Sequence, residues 1–93
     1  MDSTCERYRF IEDPGHGWLE VPISELKILD IQDQISDCSY MKGDKAYLEE
    51  DCDMAIFVEA YEKKFKAEVN IAQVYQEHTP IRGYLRYVYG SGL

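Results

Sequence analysis

Asp51–Glu68 reads DCDMAIFVEAYEKKFKAE, and its apolar residues recur with helical spacing. Met54, Phe57, Val58, Tyr61 and Phe65 recur at three- and four-residue spacing, which puts them on one stripe, while Glu59, Glu62, Lys63 and Lys66 fall largely elsewhere. The spacing predicts a helix over 52–66. Asp51 or Asp53 can cap its start, and the lysines suit its C-terminal end, where the macrodipole is negative.

Outward from this helix the period changes to two. EVNIAQVYQ, just after it, reads as a strand. Before it, QISDCSYMKGDKAYLEE reads as two strands, Ile35–Met41 and Lys45–Glu49, joined at Lys42-Gly43-Asp44. Further back, ISELKIL offers Ser24 as an N-cap for a short helix near 24–29. At the start, RYRFIE (Arg7–Glu12) sets Tyr8, Phe10 and Glu12 against Arg7, Arg9 and Ile11. It reads as a strand that Asp13-Pro14-Gly15 turns back into a second, GWLEVP. Proline fixes φ in such a turn, and glycine offers a conformation closed to other residues. The order implies an α+β fold: a small mixed or antiparallel sheet of about five strands, with the long helix packed on one face.

With 93 residues the chain supports one core and one domain, 1–93, with residues 79–93 as a docked or mobile tail. There are 18 acidic against 10 basic residues and the net charge is -8, which opposes the counterion release that drives nucleic-acid binding. The same field attracts basic protein surfaces. No acidic residue follows Glu77, whereas the tail brings Arg82, Tyr84, Arg86, Tyr87 and Tyr89. That tail either docks on its own acidic body or forms a second contact surface. Cys5, Cys38 and Cys52 are odd in number and lack CxxC spacing, which suits a reducing compartment. Met1–Arg9 is too polar for a signal peptide, and no apolar run approaches the ~20 residues of a membrane helix. The expected location is the cytoplasm, with no membrane contact.

Two strings carry a resemblance. DPGHGWLEVP within Ile11–Pro22, and YLEEDCD from Tyr47 to Asp53, resemble segments shared by a family of small proteins encoded by bacteriophages and plasmids, DPGHGWLxVP and YLEEDCD. The likeness spans roughly Tyr8 to Phe57 and continues more weakly into the Arg-Gly-Tyr tail; Asp30 and Cys38 depart from the family's usual glycine and tyrosine or serine. The family has no established activity, so the resemblance implies a mobile-element origin and action inside a bacterial host.

Catalytic sets are incomplete. His16, between Gly15 and Gly17, could be an accessible base or metal ligand, yet a base needs a nucleophile and an orienting partner. The competing reading is a histidine that caps local backbone. Trp18 beside it reads as a core anchor or an interface residue. Glu49, Glu50, Asp51 and Asp53 surround Cys52 and carry three readings: acids at a helix start, a recognition patch, or a hard-cation site, although the EF-hand spacing is absent. A helix start favours a Cys52 thiolate and the flanking acids oppose it. His78 could meet Cys38 or Cys52 only through the fold. No phosphate loop, GxSxG or zinc spacing occurs, and no metal or cofactor is expected.

Two classes of function follow. The first is an acidic accessory protein that docks on a host protein, such as a nucleic-acid-binding or defence protein with a basic cleft, through the carboxylates Glu20, Asp44, Glu49, Glu50, Asp51 and Asp53 taken as exposed. In that reading, reversal of Glu49, Glu50 and Asp53 to lysine leaves the fold intact. The second is a ligand-binding or catalytic domain centred on the Pro14–Trp18 turn, with His16 as its reactive candidate; separately, His16 and Trp18 of the turn and Arg82, Tyr84 and Arg86 of the tail are candidate interaction residues. Self-association through a strand edge or the tyrosine-rich tail is a third, and would give a homodimer.

Overall fold

Tyr8 and Phe10 are buried on one face of the first strand and Ile11 on the other, as alternation along a strand requires. The computed structural model describes residues 8–89; Cys5, Arg7 and the tail residues 90–93 lie outside them. The first strand, β1 (Tyr8–Glu12), runs antiparallel to β2 (Gly17–Pro22), with Phe10 opposite Leu19 and Glu12 opposite Gly17. After α1 (Ile23–Ile28) come β3 (Tyr40–Lys42), β4 (Lys45–Glu49), α2 (Met54–Phe65), β5 (Ile71–Tyr75) and β6 (Leu85–Arg86). The sheet order is β5-β1-β2-β4-β3-β6, with β1 and β5 parallel and every other pair antiparallel. The fold is therefore α+β with a mixed sheet of six strands, one more than expected.

Both faces of this sheet are covered. On one, Phe57 of α2 and Leu26 of α1 pack with Tyr8, Phe10, Leu19, Val21 and Leu48. Burying Phe57 removes a whole aromatic ring from water, so Phe57→Ala costs about 3–5 kcal/mol. On the other, Ile11, Trp18 and Tyr47 form a smaller cluster capped by Ile81 from a 3-10 turn, Pro80–Gly83. The tail supplies that cap and then adds β6 beside β3. Tyr87 is buried, donating its hydroxyl to the Gln32 carbonyl oxygen and its amide to the Ser39 carbonyl oxygen. Residues 79–89 are thus docked against the body.

Several local expectations are corrected. Ile35–Met41 is not one strand: a 3-10 turn at Gln32–Gln34 and bends precede a strand confined to Tyr40–Lys42. Ser36 and Ser39 explain this, since both bind the Asp53 carboxylate and draw the segment off the ladder. Ser24 lies inside α1 and does not cap it; Pro22 occupies the N-cap, and the Ile23 amide donates to the Asp44 carbonyl oxygen. Asp53 stands at the N-cap of α2, but its side chain makes no cap hydrogen bond. Gly15 does not use a left-handed conformation; among the described glycines that belongs to Gly43, at φ 62°. Space is what Gly17 supplies, and to a lesser degree Gly15. A Cβ on Gly17 would run into the Phe10 ring, and one on Gly15 would crowd the Arg82 guanidinium.

Candidate recognition cleft

The DPG turn is organised by its aspartate. Asp13 is 6% exposed, and its Oδ1 accepts the amides of Gly15 and His16, both at 2.9 Å. The same carboxylate takes a two-pronged bond from Arg82, Nε to Oδ2 and Nη2 to Oδ1 at 2.9 Å each, and Thr79 adds its hydroxyl at 3.4 Å. This clasp ties the opening turn to the tail across nearly the whole sequence. The Arg82 bond holds the Asp13 carboxyl well below the usual carboxylate range; desolvation opposes, and the two turn amides assist. Arg82 rises in return.

From this clasp opens a cleft of about 450 Å³ lined by His16, Trp18, Cys38, Tyr40, Glu49, Asp51, Cys52, Arg82 and Arg86. The turn contributes His16 and the start of β2 Trp18, the segment from the Ser36–Ser39 bend into β3 contributes Cys38 and Tyr40, and β4 with its exit contributes Glu49, Asp51 and Cys52. The tail contributes the arginines. Each guanidinium is laid over an aromatic ring: Arg82 lies 5.5 Å from the Trp18 centroid and Arg86 4.9 Å from that of Tyr40. Trp18 and Tyr40 meet edge-on at 6.3 Å, and His16 lies 5.9 Å from Trp18. Trp18 is 1% exposed, and its indole N–H has no acceptor among the described residues.

The acids expected at an exposed patch divide in two. Glu49 and Asp53 are buried, so that expectation is corrected for both. Glu49 Oε2 meets His16 Nδ1 at 3.2 Å while Oε1 accepts the Asp51 amide at 2.9 Å. Asp53 Oδ2 accepts the Ser36 amide and hydroxyl and the Ser39 hydroxyl, at 3.0, 2.9 and 2.6 Å. Lysine at either position would bury an unpaired charge, so a triple reversal that includes them is incompatible with the fold. Glu20 is half-buried between Arg9 and Tyr47, and the Arg9 bond lowers its carboxyl; burial, then Glu20, raises the Tyr47 hydroxyl. Asp44, Glu50 and Asp51 are exposed.

Sequence reasoning singled out His16, Trp18, Arg82 and Arg86 as candidates, and the structure brings all four to the lining of one cleft, which no local signal in the sequence indicated. Tyr84 lies outside the cleft, its ring against Tyr47 at 5.2 Å and under the Lys42 ammonium. Tyr40 and the Asp13 carboxylate were missed as site components, because an aromatic in a strand and an aspartate in a turn have ordinary structural explanations. His78 is not among the residues lining the cleft.

Chemically the arrangement sets two guanidinium donors beside a histidine–carboxylate pair and two thiols. The Cys52 thiol is pushed up to about 12, first by its hydrogen bond with Cys38 and further by Glu49, so it stays protonated near neutral pH. Among the described residues no group of three or more His, Cys, Asp or Glu is placed to hold a metal ion, and no helix is long and apolar enough to cross a membrane. Comparison of the chain with protein-family models, with curated proteins and with solved structures finds no match.

Proposed function

We propose that this is an accessory protein of the mobile-element kind that acts in the cytoplasm of a bacterial host by binding another protein, with the cleft as its point of contact. One observation carries the reading: His16, Trp18, Arg82 and Arg86, from well-separated parts of the chain, line one open cleft in which the Arg82 and Arg86 guanidinium groups are held over the Trp18 and Tyr40 rings. Fixed donors and flat aromatic surfaces serve recognition. A net charge of -8, with Asp37, Glu50 and Asp51 exposed on the segments that line the cleft, supports a partner that is basic overall. A host nucleic-acid-binding or defence protein has that character, and inhibition follows if its basic cleft is covered.

Recovery of the tagged protein from nuclease-treated bacterial lysate tests this. The expected result is a stoichiometric protein partner with the wild type and its loss with Arg86→Gln, with a cooperative melting curve for that variant showing that it is folded. Equal recovery by that variant, or no partner at all, overturns the reading.

A further inference from the structure

We infer that the group received by the cleft is a carboxylate of the partner, held by the Arg86 guanidinium. This rests on the cleft being the contact site. Among the described residues the chain has three arginines. Two are each answered by a carboxylate in a two-pronged bond: Arg9 by Glu20 at 3.1 and 3.1 Å, and Arg82 by Asp13 at 2.9 and 2.9 Å. Arg86 has no carboxylate partner among them. Its Nη1 donates to the Asp37 carbonyl oxygen at 3.0 Å and its plane lies over Tyr40. The guanidinium is therefore held in place while its Nε and Nη2 hydrogens have no acceptor among the described residues.

A guanidinium fixed by stacking matches a planar two-oxygen acceptor in shape and loses little freedom on binding it. The carboxylates already in the cleft do not fill this role. Both oxygens of Glu49 are engaged, by His16 and by the Asp51 amide, and Asp51 forms no ion pair with Arg86. Charge decides between oxyanions. Glu49 and Asp51 line the same cleft and the chain carries -8, so a monoanion is opposed less than a phosphate dianion. Charges farther off than about 8 Å are screened at physiological salt, which leaves the cleft's own groups in control.

Trp18 is the only tryptophan, so its fluorescence reports on the cleft directly. Whole protein is titrated with potassium acetate, with potassium phosphate, and with potassium chloride at equal ionic strength. The inference predicts a saturable change with acetate, half-complete in the millimolar range that one unassisted contact gives, weaker with phosphate and non-saturable with chloride. Arg86→Gln should raise the acetate midpoint at least about tenfold, Arg86→Lys should raise it less, and Lys27→Gln, outside the cleft, should leave it unchanged. Indistinguishable acetate and chloride curves overturn the inference, as does a tighter phosphate midpoint or an unchanged midpoint in Arg86→Gln. The wild-type comparison stands even if a variant folds poorly. Acetate binding without partner capture removes only the proposed function; capture that depends on Arg86 without acetate binding removes only the carboxylate.

Discussion

At residue scale, Asp53 does more than begin a helix. Its carboxylate gathers Ser36 and Ser39, and Ser39 in turn accepts the Glu49 amide at 3.0 Å, so one buried side chain fixes the bend that delivers Cys38 and Tyr40 to the cleft. Asp53→Ala strands the buried Ser39 hydroxyl and should destabilise the protein by about 3 kcal/mol, whereas Asp51→Ala, at an exposed position, should stay within about 0.5 kcal/mol. Denaturant unfolding of the two variants checks the contrast. Asp13 makes a pH-dependent contribution. Its folded-state carboxyl is lowered, so the stabilisation is complete above the unfolded-state value near 3.8 and is lost as pH falls through the folded one. The stability gap between wild type and Asp13→Asn should therefore narrow from about pH 7 to about pH 2.5, and a constant gap would contradict the clasp.

At element scale, the tail acts as a strap across the face that holds Trp18. Ile81 closes the small cluster with Ile11, Trp18 and Tyr47, and β6 pairs with β3. A chain ended after His78 loses Ile81 from the Trp18 cluster and Tyr87 from the main core, and should expose Trp18, giving a red-shifted emission and a lower melting temperature; an unshifted spectrum would deny the strap its role. The elements legible in the sequence were those with a clear period. GWLEVP and Lys45–Glu49 stand as strands at those bounds, and the stripe through Phe57 places α2 within one or two residues of 52–66. What failed lacked a local signal. The Ser36–Ser39 bend depends on a carboxylate many residues away, and β6 is two residues long, defined only by its partner β3. Likewise the cleft was legible as residue types, a histidine in a glycine-flanked turn and arginines in a tail, but the clasp between Asp13 and Arg82 joins positions that no periodicity connects.

At the scale of the whole molecule, folding redistributes the acidity. Asp13, Glu49 and Asp53 are buried and Glu20 is paired, while Asp37, Asp44, Glu50 and Asp51 are exposed and shape the outer field. Charge reversal is informative only at exposed positions: Glu50→Lys with Asp51→Lys should leave the melting temperature nearly unchanged and slow association with a basic partner about tenfold at low salt, an effect that fades as salt rises. Stopped-flow association at two ionic strengths measures it.

The most direct test of a contact built from both ends of the chain is amide hydrogen exchange, measured with the protein alone and bound to the partner recovered from lysate. The account predicts added protection in residues 13–19 and in residues 82–87 together, with the exposed side of α2 unchanged. Protection confined to α2, with both cleft segments exchanging as before, would contradict it.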